Sequence, residues 1–245
     1  MKLSTIVTDR YALGSLAIAI GFGIGLSMTV AAQSLAGTVV QFQPPGGGAP
    51  TGTRGGASRG DRVCLRQTSG QQPIVQALAP IDSNYGLTVA ERPQFFAYIP
   101  ATTAQKALFV LKDDRGQTLH QQIIPIVGSG RVVLLNVAER LPALQVGKPY
   151  EWGIVILCTG RLQIDSPFTS AWIQRISPPA DVLPYLGQPP SLQQVAAFGQ
   201  QGIWYDMVST LAQLQHQQQY TSIAATWSQL LQSVGLGDIS TVPIE

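Results

Sequence analysis

The sequence is poor in the residues that most enzymes use. It has two histidines and two cysteines in 245 residues, and only 11% of it is charged. His120 and His216 lie far apart and form no H-x-x-x-H pair. A histidine-based metal centre therefore has no support. Basic residues stop at Arg175, and beyond it only Asp181, Asp206, Asp238 and Glu245 carry formal charge. Setting aside Lys2, Asp9 and Arg10 of the N-terminal leader, the 15 basic and 13 acidic residues become 13 and 12. So even a balance lacks the basic footprint of a dedicated nucleic-acid binder. After residue 30 no apolar run approaches the length needed to span a membrane.

The N-terminus carries a stronger signal. Lys2 and Arg10 precede an apolar run from Tyr11 to Val30, and Val30-Ala31-Ala32 then supplies small residues. This is the layout of a secretory signal peptide over residues 1–32, cut after Ala32. An uncleaved membrane anchor is the alternative. Either way the remainder is expected outside the cytoplasm, in the periplasm, at the outer membrane or beyond. In an exported chain Cys64 and Cys158 read first as a disulfide, with two buried thiols as the alternative. So long a closed loop implies roughly 4–5 kcal/mol of stabilisation in the chain-entropy account.

Residues 44–64, PPGGGAPTGTRGGASRGDRVC, hold two apparent catalytic motifs. Gly56-Ala57-Ser58-Arg59-Gly60 matches the G-x-S-x-G nucleophile elbow. That elbow needs a strand turning into a helix. Upstream of Ser58 the sequence is Pro- and Gly-rich, and downstream Asp61-Arg62-Val63-Cys64-Leu65-Arg66 reads as a short strand. A P-loop fails because Thr53-Arg54 follow Gly52 where Lys and Ser/Thr are required. Arg54-Gly55-Gly56 resembles RNA-binding segments, which an exported chain rarely uses. Residues 33–60 therefore read as a flexible, basic Pro/Gly linker.

From 61 to 177 short β-type runs alternate with turn residues. They are DRVCLR, PIVQALAPI, PQFFAYIP, ALFVLKD, QTLHQQIIPI, RVVLLNV, PYEWGIVILC and TSAWIQRI. The spacing predicts an antiparallel sandwich. Asp113-Asp114-Arg115-Gly116 is a hairpin turn. Leu144 through Trp152 resembles the tyrosine corner of immunoglobulin-like folds, in which the Tyr150 hydroxyl would tie back to nearby backbone. A period of two puts Trp152, Ile154, Ile156 and Cys158 on one face, with Cys158 pointing into the core.

Residues 178–245 change character. Five prolines between 178 and 190 mark a connector. Ser191 offers an N-cap for one helix carrying Trp204, Met207, Val208, Leu211 and Leu214, which ends within residues 215–220. A second helix carries Ile223, Trp227, Leu230, Leu231 and Val234, with Gly235 as its stop. The expectation is an αα-hairpin covering the sandwich. Gly202-Ile203-Trp204-Tyr205-Asp206 resembles the start of a tetratricopeptide repeat, but a single copy makes no solenoid.

Together FQPPGGGAPTGTRGGASRG, LTVAERPQFFAYIP, LQVGKPYEWGIVILC, AWIQRI, GIWYDMVSTLAQL, WSQLLQSVGL and VPIE resemble the exported cyanobacterial family known as domain of unknown function 928. The resemblance covers nearly the whole mature chain. It implies that the Pro/Gly entry is a family hallmark, and it carries no known activity. It also implies company with caspase-like and adhesin-like envelope systems. An Asp-rich turn follows the second Cys in the family pattern, whereas here Cys158-Thr159-Gly160-Arg161 has no acid before Asp165. A cation held there in relatives is not expected here.

These features favour a non-enzymatic binding module with a protein partner in the cell envelope, without cofactor or metal. The candidate surface is Glu91, Arg92 and Pro93 with Trp172 and Arg175, since Arg and Trp are frequent hot-spot residues. The plainer alternatives are a solvated turn for Glu91 and Arg92, and core packing for Trp172. A scaffold docking a membrane-bound partner through Gln-rich helices is a second reading. A polysaccharide hydrolase is a third. It would need two facing carboxylates from Asp113, Asp114, Glu139, Glu151 and Asp165, and adjacent Asp113 and Asp114 are better explained as turn formers.

Overall fold

A computed structural model describes residues 40–46, 64–65, 74–126, 130–217 and 222–244, all within the unit Gly37–Glu245. The leader, Ser58 and most of the 33–60 linker lie outside the described residues. No helix among the described residues is long and apolar enough to cross a membrane.

Eight strands form. They are β1 (Gln76–Ala77), β2 (Tyr85–Thr88), β3 (Phe95–Ile99), β4 (Lys106–Asp113), β5 (Thr118–Pro125), β6 (Arg131–Leu135), β7 (Pro149–Ile156) and β8 (Phe168–Arg175). One sheet runs β1-β3-β6 and the other β2-β8-β7-β4-β5. All pairings between these strands are antiparallel except β2 with β8, which is parallel. The strict alternation of β7 buries Tyr150, Trp152, Ile154 and Ile156 on one face. Their partners on β4 are Asp113, Leu111, Phe109 and Ala107. Phe95 of the smaller sheet is fully buried. Its ring lies 5.3 Å from Phe109 and 4.9 Å from Trp152 of the larger sheet, centroid to centroid, so the two sheets share one aromatic core.

The turn residues act as their chemistry requires. Asp113 Oδ1 accepts hydrogen bonds from the N–H groups of Arg115 and Gln117 at 3.0 and 2.8 Å, and Gly116 takes a φ of +79°. These bonds, the one from Gln117 foremost, hold the carboxyl of Asp113 below its ordinary range, and Lys148 adds to the effect. At the corner before β7, the Gln145 N–H donates to the Tyr150 hydroxyl at 3.0 Å.

Cys64 and Cys158 are joined by a disulfide. The predicted strand around Cys64 reduces, among its described residues, to one bridge between Leu65 and Thr102. The Cys64 carbonyl accepts from Thr102 Oγ1 and Thr103 N at 2.8 and 3.0 Å. Cys158 falls beyond the end of β7 and is only half-buried, so it does not continue the Trp152 face inward as its spacing predicted.

The predicted helical pair is instead three helices, α1 (Leu192–Gln200), α2 (Trp204–His216) and α3 (Ile223–Ser233). Ser191 caps α1, its Oγ accepting from Gln194 N at 3.2 Å. Gly202 breaks the single helix that the apolar spacing suggested. Its φ is +68°, and Ile203 N and Gly202 N bond back to the carbonyls of Phe198 and Gly199. That is a Schellman stop, which needs a left-handed residue. Gly235 ends α3 in the same way, with Leu236 N bonding to Leu231 O at 2.8 Å.

The linker's described part also departs from expectation. Phe42 is buried edge-to-face on Trp204 at 4.9 Å, and Gln43 N donates to Gly199 O at 2.9 Å. A Cβ on Gly199 would lie 2.4 Å from the Gln41 carbonyl oxygen. Residues 41–43 are therefore a strap across α1 and α2. At the other end, Val132 N donates to Pro243 O at 2.9 Å and Ile244 bridges to Val132, extending the smaller sheet.

Candidate binding cleft at the sheet–helix junction

Three consecutive residues open α2, and each reaches the β-body. Trp204 Nε1–H donates to the Leu78 carbonyl at 2.7 Å. Trp152 Nε1–H donates to the Tyr205 hydroxyl at 2.6 Å, which in turn donates to the Trp172 carbonyl at 3.0 Å. Burial raises the Tyr205 phenol above its ordinary range, against the bond from Trp152. Asp206 Oδ2 accepts from Val89 N at 3.1 Å. The close approach of α2 to β2 depends on Gly86, where a Cβ would meet the Trp204 Cβ at 2.6 Å.

Around Asp206 the exit of β2, the connector before α1, α1 and α2 enclose a polar cleft of about 250 Å³. Thr88, Arg92, Gln94, Gln194, Phe198 and Asp206 are among its walls. Burial pushes the Asp206 carboxyl up from its ordinary 3.8 to about 6, although bonds from Thr88 and Val89 oppose the rise. Gln194 is 8% exposed. Its Nε2 donates to the Tyr185 carbonyl at 3.1 Å, while Oε1 has no hydrogen-bond partner among the described residues. On the far wall Ser209 Oγ donates to Gln94 Oε1. The cleft thus presents a carboxylate, an unanswered amide oxygen and a guanidinium close together.

Of the residues singled out from sequence, Arg92 and Pro93 line this cleft, and the Arg92 Nε is bonded to the Leu141 carbonyl at 2.9 Å. Glu91 and Arg175 form a clamp beside it. Arg175 Nη2 meets Glu91 Oε1 at 3.0 Å, and Nη1 donates to the Leu144 carbonyl at 2.9 Å. Trp172 is 5% exposed and presents no surface. His120 is half-buried on β5 with its ring 6.4 Å from Phe109, and His216 is the exposed last residue of α2. Among the candidate acids, Asp113 serves its turn, Asp114 and Glu139 are exposed, and Glu151 and Asp165 lie on β7 and in the loop before β8. No group of three or more His, Cys, Asp or Glu able to hold a metal occurs among the described residues.

Gln194 and Asp206 were not foreseen as site residues. One signal was available for Asp206, which is the only acid in residues 191–234. A lone carboxylate in so apolar a stretch asks for a reason.

The fold is mostly β, two sheets sharing a core with three helices, and its junction holds a small polar cleft. The chain belongs to the family described as Domain of Unknown Function (DUF928), whose model matches residues 54–244. No curated protein matches it. Among solved structures, the fn3 domain of the human collagen alpha-1(XX) chain aligns at 11% identity with a TM-score of 0.26, over 47% of this chain and 91% of that one. At that score the description of the fold rests on the sheets themselves.

Proposed function

We propose that the protein is an exported, non-enzymatic binding module of the cell envelope, built on an immunoglobulin/fibronectin-III-like sandwich. The observation that carries the binding reading is Gln194. A buried amide oxygen without a partner is costly, by roughly 1–3 kcal/mol, unless something answers it. Gln194 Oε1 has no partner among the described residues, and its side chain lines a cleft that also holds Asp206 and Arg92. Converging polar groups in a concavity are the usual mark of a binding site. The sandwich reading is supported by the Tyr150–Gln145 bond across the corner before β7. Export is supported by the Cys64–Cys158 disulfide, a bond that persists in oxidising compartments. The partner belongs to the same envelope, and Arg92 and Pro93, the singled-out residues that line the cleft, form part of the contact surface.

The test is spectroscopic. Fractions of an envelope extract, separated into small molecules and macromolecules, are added to isotope-labelled protein. The expected result is a saturable amide shift confined to residues 88–94, 186–194 and 205–213. A spectrum unchanged by every fraction would end the binding reading.

A further inference from the structure

The cleft's chemistry narrows what it can hold. Its volume of about 250 Å³ falls below the roughly 300–1,000 Å³ typical of drug-sized ligands. One small ring suits that space, and a larger ligand would extend out of the mouth. Its walls offer both kinds of hydrogen-bonding group. Gln194 Oε1 requires a donor. The Asp206 carboxylate uses Oδ2 on Val89 N, also accepts from Thr88 and, as an ionised acid, keeps lone pairs for a further bond. Arg92 brings a guanidinium with one of its N–H groups given to Leu141. At the mouth, Gln188 and Gln213 are exposed amides that can donate and accept.

Three ligand chemistries can be weighed against this lining. An amine brings donors only and would meet the Arg92 cation. A phosphate brings mostly acceptors and a negative charge that would meet the Asp206 anion. A hydroxyl both donates and accepts, so neighbouring hydroxyls on one ring match the mixed walls without a charge conflict.

Asp206 already accepts from Thr88 and from backbone N–H groups at the exit of β2, so its carboxylate ties α2 to β2 and offers the cleft the acceptor capacity that remains. A charged acceptor makes hydrogen bonds to hydroxyls that are shorter and stronger than neutral ones.

We propose that this cleft binds one neutral sugar ring, free or at the tip of a glycan, an assignment that rests on the binding reading above. Gln194 Oε1 and the Asp206 carboxylate accept from its hydroxyls, and the Arg92 guanidinium donates to them. The exposed Gln188 and Gln213 mark the side from which the remainder of a glycan would leave.

The test titrates the full, disulfide-bonded protein with neutral hexoses and pentoses, with short neutral glycans, and with putrescine and inorganic phosphate as contrasting probes. Amide shifts are followed throughout. A neutral saccharide is expected to shift residues 88–94, 186–194 and 205–213 saturably. Response to monosaccharides marks a free-sugar site, and response to glycans alone marks a chain-end site. Gln194→Leu and Arg92→Ala are each expected to weaken binding by about tenfold or more, the equivalent of one charge-assisted or buried hydrogen bond. Should Gln194→Leu fail to fold, Gln213→Ala, at an exposed position, is expected to weaken glycan binding severalfold. Unchanged affinity in both Arg92→Ala and Gln213→Ala overturns the assignment. So does binding of putrescine or phosphate in place of sugars. If no defined probe binds but an envelope fraction shifts the same amides, the sugar assignment falls and the binding reading stands. If nothing shifts them, both fall.

Discussion

Helix α2 enters the molecule with three consecutive side chains bonded to backbone or side-chain partners far away in sequence, at Leu78, at Trp152 and Trp172, and at Val89. Helix α3 is attached differently. It buries Ile223, Trp227, Leu230 and Leu231, has no charged residue in its first or last turn, and the Ser222 side chain makes no capping bond. The indole N–H of Trp227 has no partner among the described residues. Both helices satisfy the apolar-stripe rule that makes a helix pack at all. Among the described residues α3 adds one backbone bond, from Ile81 N to the Val234 carbonyl at its C-cap, whereas α2 adds directional bonds from three consecutive side chains, which fix its rotation and its register against the sheet. A hydrophobic stripe alone tolerates small rotations. A row of indole, phenol and carboxylate does not. The cleft lies beside α2, the element whose position is held by those bonds.

That contrast can be broken by experiment. Trp204→Ala removes a fully buried ring, its bond to Leu78 and its edge contact with Phe42. It is expected to cost about 3–5 kcal/mol in urea unfolding, and a value below about 2 kcal/mol would contradict the anchoring role.

The next effect depends on pH. The folded-state pKa of Asp206, about 6, lies above its ordinary 3.8. The folded protein therefore binds the proton more tightly than the unfolded chain does. Stability from this group is full below about pH 4, falls as pH rises through the window up to about 6, and is flat above it. Asp113 works in the opposite sense. Its lowered pKa gives stability that is present above its unfolded value and lost as pH falls. Comparing wild type with Asp206→Asn cancels the contribution of Asp113. The difference between the two proteins should change across that window by up to about 3 kcal/mol, with wild type losing ground as pH rises. A difference that does not vary with pH would mean that the carboxyl is not buried as described.

Tyr205→Phe comes next. It leaves Trp152 Nε1 without its acceptor and the Trp172 carbonyl without its donor, and is expected to cost about 1–3 kcal/mol. Trp227→Phe on α3 should cost least, under about 1.5 kcal/mol, because it removes volume but no hydrogen bond seen among the described residues. Should Trp227→Phe equal Tyr205→Phe, the distinction between a bonded and a greasy helix has no energetic content.

What could be read from sequence follows the same divide between local and distant. The alternation in β7, the Asp113 turn, the Ser191 cap and the Gly235 stop each depend on residues within one turn or strand, and each is visible in its own few letters. Strand β2 was not anticipated. It is four residues long, contains Gly86, and exists because β8 pairs with it in parallel and α2 lies against it. The break at Gly202 was hidden by an apolar periodicity that runs on through it. The space there is set by the strap, where the Gln43 carbonyl and Pro45 crowd the position. The cleft was least legible. Its walls come from four separate segments, and the orphan oxygen of Gln194 looks like any other glutamine in a chain rich in them.

The strap has a consequence for how the polypeptide would behave if nicked. A protease cutting anywhere between Gly47 and Gly60 would sever the backbone without freeing the piece that carries residues 40–46. Phe42 would still sit against Trp204, and Gln43 would still be tied to Gly199. The two fragments should travel as one particle under native conditions and separate only when α1 and α2 melt. A synthetic peptide spanning residues 37–46 then becomes a reagent for asking whether those helices are formed.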